Sequence, residues 1–289
     1  MTIADLPLNA AVALAQRVLA AHWPQARAAW LGGSVVRGAA TATSDLDITV
    51  LLDGPPAPMR TSFDWTDPVV GQTFPVEGFV HTTDSLAHFQ AKDAERRQPS
   101  MQRLVGESVV LLDGDGSGAR LRDAALAEIA AGPKPLSQSE IDAQRYALTG
   151  VLDDLRGADF DPFLAAHAFE LSARLLLGVE RAWQGTGKGL TAALAAWTRS
   201  LPAGIPERDL LPAWRAAMDT SSQADVIRLV ENALDRCGGR LFAGYDLRAT
   251  LPATDQQRGR ATMGGAPPCT DAKEPAPHGR PQPDPRAEQ

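Results

Sequence analysis

Two aspartates one residue apart, Asp45 and Asp47, open an apolar run at 46–52, and ten residues separate them from the pair Gly33-Ser34. Side chains alternate sides along a strand. A strand through 45–53 therefore turns both aspartates to one side and sends Leu46, Ile48 and Val50 to the other, into a core. Two carboxylates that close together repel each other unless a cation lies between them. Paired oxygen ligands of this kind suit Mg²⁺, which keeps several waters and completes its shell with substrate phosphates. The turn Gly32-Gly33-Ser34 supplies what such a phosphate needs: close backbone approach, free N–H groups and a hydroxyl, above all where a helix begins.

The elements that must hold these residues can be read around them. Leu8, Val12, Ala15, Leu19 and Trp23 recur in steps of three and four and mark one face of a helix, which Pro24 ends. The short apolar run 28–31 reads as a strand leading straight into the Gly-Gly-Ser turn. After the polar 41–44 comes the aspartate strand, stopped by Gly54-Pro55-Pro56. The Pro-rich stretch 56–73 reads as an irregular loop. Strands are expected at 74–82 and 108–113, and helices at 84–97, capped by Thr83 or Asp84, and at 117–131. Beyond Gly132-Pro133-Lys134-Pro135 the strand signals fade and four or five helices remain. One carries Leu164, Ala168, Leu171, Leu175, Val179 and Ala182 on a single stripe. Another spans 188–199 with Leu190, Leu194 and Trp197, and a last one spans 223–236 and stops at Cys237-Gly238-Gly239. The expected plan is an α+β domain over 1–134, an all-α domain over 135–250, and a disordered tail over 251–289, too poor in bulky apolar residues to offset its ordering entropy.

Glycine-serine followed at this distance by Asp-x-Asp resembles the signature of the polymerase-β-like nucleotidyltransferase superfamily. The helical half resembles, more loosely, the C-terminal domains of bacterial antibiotic (aminoglycoside) nucleotidyltransferases. The resemblance implies a mixed sheet with flanking helices, followed by a helical bundle. It also implies a third carboxylate on a later strand, and the matching position is Glu77, which alternation puts on one face with Phe79 and His81. On that reading Gly33 and Ser34 hold the terminal phosphates of ATP, and Asp45 and Asp47 bind one or two Mg²⁺ ions. Glu77 either completes a second metal site or takes the acceptor's proton. Arg37 and Ser44 flank the motif as candidate phosphate contacts, although Ser44 equally suits the turn before Asp45. Lys188, at a helix start in Gly-Thr-Gly-Lys, resembles a lysine that related enzymes place on the triphosphate, and it is equally suited to a solvated first turn. The implied reaction moves AMP from ATP to a hydroxyl of a small, aminoglycoside-like acceptor bound between the two halves. The alternatives are a protein-directed adenylyltransferase or antitoxin-like regulator, and a nucleotide-binding protein without turnover.

Bulk properties narrow the field. The 289 residues carry a net charge of -7, which argues against an electrostatically driven nucleic-acid binder and suits a neutral or cationic acceptor. The two cysteines, Cys237 and Cys269, form neither a disulfide framework nor a zinc spacing, and a cytoplasmic setting is expected. The amino-terminal stretch, headed by Asp5 and interrupted by Arg17, reads as an amphipathic helix and not a signal peptide, and no membrane span is expected. Residues 45–51 also resemble the nucleophile motif of haloacid-dehalogenase-type phosphatases, but there the apolar strand precedes the aspartates, whereas here it follows them. Residues 185–188 lack the first glycine and the final Ser/Thr of a phosphate-binding P-loop. His81, His88 and His167 lack metal-ligand spacing.

Overall fold

The structure is a computed structural model and describes residues 2–54 and 58–247. Residues Met1–Asp246 make one compact unit, of mixed α+β class. Its first part runs α1 (Leu8–His22), β1 (Ala28–Leu31), α2 (Gly33–Val36), β2 (Leu46–Leu51), β3 (Met59–Thr66), β4 (Thr73–His81), α3 (Thr83–Glu95), α4 (Ser100–Gly106), β5 (Val109–Asp113) and α5 (Ser117–Ala131). The helices α6 (Gln138–Gly157), α7 (Pro162–Val179), α8 (Lys188–Ser200), α9 (Leu210–Asp219) and α10 (Gln223–Arg236) follow. The tail expected at 251–289 lies outside the described residues.

The five strands are ordered β3-β4-β2-β1-β5. β2 and β4 run parallel and all other neighbours antiparallel. Alternation divides the sheet into two faces. Ala29, Leu31, Leu46, Ile48, Val50, Phe74, Val76 and Val80 form one cluster with Ala11, Leu14, Ala15, Val18 and Leu19 of α1. Gly78 belongs to this face because a Cβ there would stand 2.6 Å from the Trp23 ring. On the other face Ala28, Trp30 and Leu51 pack with Leu86, Met101, Val105 and Ala125 from α3, α4 and α5. The central strands are buried on both faces and read as continuous apolar runs, which is why β1 and β2 were legible.

Several expectations need correcting. Within 56–73, residues 59–66 form the edge strand β3, paired along its length with β4. Its burial alternates, with Thr61, Phe63 and Trp65 half-covered and their neighbours exposed. Charged and polar residues on an exposed edge are how sheets discourage further pairing, and they conceal the strand from a search for apolar runs. Helix α4 was not expected at all. The cap of α3 is Thr82, whose hydroxyl accepts the Ser85 N–H, not Thr83 or Asp84. The buried stripe of α1 is Ala11, Leu14, Ala15, Val18 and Leu19, and Leu8 is exposed.

In the helical part Leu148, Leu152, Leu155, Ala168, Leu175, Leu177, Leu194, Val230 and Leu234 are fully covered by one another and their neighbours. Helix α7 is long and apolar enough to cross a membrane by length and composition alone. It is the central helix of this cluster, buried at Ala165, Ala168, Ser172, Ala173 and 175–178. Those positions wrap more than one face, as they do in a helix surrounded by others; of the expected stripe only Ala168 and Leu175 are fully buried, Leu164 and Leu171 are half-buried, Val179 is exposed, and Ala182 lies beyond the helix end. Arg97 ties this part to the first, donating to the carbonyls of Lys134 at 2.5 Å and Gly178 at 3.1 Å, while its own carbonyl accepts the Gln184 N–H at 2.7 Å.

Candidate active site

The strand pairing puts the carboxylates together. Asp47 of β2 and Glu77 of β4 are direct partners across the parallel ladder, and Asp45 stands two residues before Asp47 on the same side. One oxygen from each of Asp45, Asp47 and Glu77 lies within 4.8 Å of the others, and all three side chains are half-buried. The face is the one α3–α5 cover. Asp45 and Asp47 stand at the start of β2, before Leu51, the residue of that strand that packs in the cluster with those helices.

The turn after β1 is built against the same point. Gly33 has φ +73°, and a Cβ there would stand 1.7 Å from Asp47 Oδ2. The left-handed backbone and the lack of space both demand glycine. The Gly32 N–H donates to the Asp47 carbonyl at 2.9 Å, fastening the turn to β2. Ser34 Oγ donates to Ser44 Oγ at 3.1 Å, and Ser44 Oγ also accepts the Thr41 N–H at 2.9 Å. Ser44 thus closes the loop between the turn and the aspartates, and it anchors the Ser34 hydroxyl as well.

The electrostatics are those of a site short of positive charge. Among the described residues neither the Asp45 nor the Asp47 side chain has a hydrogen bond or ion pair. Burial, then the negative charges of Asp45 and Glu77, push the Asp47 carboxyl up to about 7, against the opposing pull of Arg37 and Arg60. Three converging carboxylates, two of them unpartnered, form a donor set that fits a hard divalent cation, and the same charges make the set unfavourable without one.

Of the residues singled out in the sequence, Gly33, Ser34, Ser44, Asp45, Asp47 and Glu77 come together here. Arg37 follows the single turn of α2 and is exposed, close enough for its charge to act on Asp47. Lys188 is an exposed first residue of α8. Among the described residues it has no hydrogen bond or ion pair with this group. One residue escaped the sequence reading. Arg60 of β3 donates through Nε to Glu77 Oε1 at 2.5 Å. The alternation Thr61, Phe63, Trp65 marks β3 and would have put Arg60 on the carboxylate face.

Residues 15–89, from α1 into α3, match the model of a family described as a nucleotidyltransferase domain. That stretch contains the whole carboxylate group and the Gly-Ser turn, but not Lys188. A solved nucleotidyltransferase-like protein from Exiguobacterium sibiricum 255-15 is similar at 11% identity with a TM-score of 0.37, over 78% of this chain and 80% of that one. No curated protein matches the chain. The corner where β1, β2 and β4 meet thus lies inside a nucleotidyltransferase domain, and the chain is a transferase of the nucleotidyl-transferring type.

Proposed function

We propose that the chain transfers AMP from ATP to a hydroxyl of a small molecule, aminoglycoside-like in being polar and cationic, and releases pyrophosphate. The observation that carries the reading is the convergence of Asp45, Asp47 and Glu77 within 4.8 Å, beside a glycine turn that has no room for any other residue. In this reading Asp45 and Asp47, with Glu77, hold Mg²⁺, which when bound neutralises the triphosphate and relieves the repulsion among the carboxylates. The backbone of Gly33 and the hydroxyl of Ser34, steadied by Ser44, hold the terminal phosphates. Arg37 adds positive charge on the same side, and Lys188 is kept as a further triphosphate contact.

The acceptor oxygen attacks the α-phosphorus. The new P–O bond forms as the bond to the β-phosphate oxygen breaks, and the acceptor's proton passes to a carboxylate, for which Glu77 is the candidate. Phosphoryl-group transfer chiefly needs alignment and charge neutralisation, so few side chains suffice. The net charge of -7 favours a cationic or neutral acceptor over a polyanion. The acceptor class itself rests on the resemblance to antibiotic nucleotidyltransferases, whereas the division into domains at 134/135, with the acceptor bound between them, rests on the change in composition at Gly132-Pro133-Lys134-Pro135.

The test is incubation of the full chain with α-phosphate-labelled ATP and Mg²⁺, offered in parallel a panel of aminoglycosides and other polyols and a cell protein extract. Label on a small molecule is the expected result. Label on protein would move the activity to a protein hydroxyl, and nucleotide binding without pyrophosphate release would remove it.

A further inference from the structure

Arg60 stands on β3 in register with Phe79 of β4, two rows from the pair Ser62 and Glu77 and so on the same face. Side chains directly across a ladder share a face, so Arg60 belongs to the carboxylate face of the sheet. Its guanidinium lies 5.4 Å from the centre of the Phe79 ring and touches Glu77 through Nε alone. Among the described residues its two terminal nitrogens have no hydrogen-bond partner. The Arg60 side chain is 70% exposed and that of Glu77 only 16%. A single-point pair with one partner in solvent is weak and is readily exchanged. Yet it is the one cation that touches the carboxylate trio among the described residues, where Asp45, Asp47 and Glu77 repel one another.

Resting on the reading of those three residues as metal ligands, we propose that Arg60 is a displaceable counter-ion. It holds Glu77 in the unloaded site and gives that carboxylate up when a divalent cation arrives. The pairing lowers the repulsion that an empty trio would suffer, and it sets a threshold for metal because the cation must displace a like charge. The Phe79 ring gives the released guanidinium a surface on which to remain nearby. Arg60 is therefore a positioning residue, acting on the metal site through Glu77.

The test uses the full chain without nucleotide and Mn²⁺ as the probe, with binding followed by calorimetry. Arg60→Gln should bind Mn²⁺ more tightly by roughly five- to tenfold, the scale expected from removing one unit charge a few ångströms away in a well-solvated setting. Arg60→Lys, which keeps the charge, should stay near wild type, and thermal unfolding checks that both variants fold. In parallel, the Arg60 Nε–H resonance, assigned by its loss in Arg60→Gln, should move toward the free-arginine position as Mg²⁺ saturates the site. Unchanged or weaker Mn²⁺ binding by Arg60→Gln, or an Nε–H resonance that stays put at saturation, overturns the proposal. Wild-type protein that binds no Mn²⁺ at all would instead bring down the metal-site reading, and this inference with it.

Discussion

Two aspartates withdrawn from solvent, twenty residues apart in sequence, are treated in opposite ways. Asp67, at the turn between β3 and β4, is fully buried, and every demand it makes is met. Arg17 of α1 donates to it through Nε at 2.9 Å and a terminal nitrogen at 2.5 Å, and the N–H groups of Val69 and Val70 donate as well. Burial pushes its pKa up, but these partners more than offset that and hold the carboxyl below the usual range. Asp47 has no such partners, and burial together with two neighbouring carboxylates lifts it to about 7. A satisfied carboxylate staples a hairpin to a helix. An unsatisfied one stores unfavourable charge that a ligand can relieve, and strongly perturbed groups of that kind cluster where chemistry is done.

The sharpest way to break this comparison is to neutralise each aspartate in turn. Asp47→Asn should cut AMP transfer by about a thousandfold or more, the scale seen when a main electrostatic contributor to a transition state is removed. It should leave the fold intact. Asp67→Ala should do the reverse, costing roughly 2–3 kcal/mol in urea unfolding for the loss of charge-assisted hydrogen bonds, with transfer per folded molecule little changed. If Asp67→Ala lost transfer and kept its stability, the division between a structural and a functional aspartate would be wrong.

Gly33→Ala comes next. It forces a side chain into left-handed backbone, which costs about 1–2 kcal/mol, and it drives a methyl into the Asp47 carboxylate. Transfer should fall about a hundredfold, as when reacting groups are displaced by about an ångström, with a visible loss of stability. Gly38, also at positive φ but with open space around it, is the control, and Gly38→Ala should cost only the backbone term.

Most of the scaffold behind this contrast was legible, for physical reasons. β1 and β2 are apolar because they are central, and Asp45 and Asp47 stand out because they interrupt that pattern at its start. Glu77 followed from the resemblance together with strand alternation, and the register Asp47 to Glu77 is the geometry that alternation required. Arg60 and Asp67 were hidden for a single reason. Both belong to the β3 hairpin, where Pro55, Pro56 and Pro58 suggest a loop and an exposed edge removes the apolar run that normally marks a strand. The partner of Asp67 is also distant, since Arg17 lies fifty residues earlier, and no local pattern encodes it.

The pH dependence of stability should carry opposite signs at the two sites. Asp47 has a folded pKa above its unfolded one, so protonation favours the fold. The stability it contributes is full below about pH 4 and is lost as pH rises toward 7. Asp67 has a folded pKa below its unfolded one, so its contribution is present above about pH 4 and is lost as pH falls further. With chelator present, urea unfolding between pH 4.5 and 8 should show wild-type stability falling by roughly 2–4 kcal/mol relative to Asp47→Asn, since each tenfold change in proton affinity between the folded and unfolded chain is worth about 1.4 kcal/mol. Parallel curves for the two proteins would mean that Asp47 is not held under strain. Added Mg²⁺ should remove the difference above pH 7.

The smallest expected effect comes from a residue between the two extremes. Ser44 is satisfied like Asp67, through the Thr41 N–H, yet it also holds the Ser34 hydroxyl at the phosphate side of the turn. If its work is only to shape the turn, Ser44→Ala should cost about 1 kcal/mol for the hydrogen bonds lost and leave the kinetics alone. If the Ser34–Ser44 pair organises the phosphate cradle, KM for ATP should rise about fivefold, the equivalent of one modest hydrogen bond, with kcat nearly unchanged. The geometry favours the second outcome. The Ser34 hydroxyl has no other hydrogen-bond partner among the described residues, so removing Ser44 frees it to rotate away from the position it holds beside Gly33.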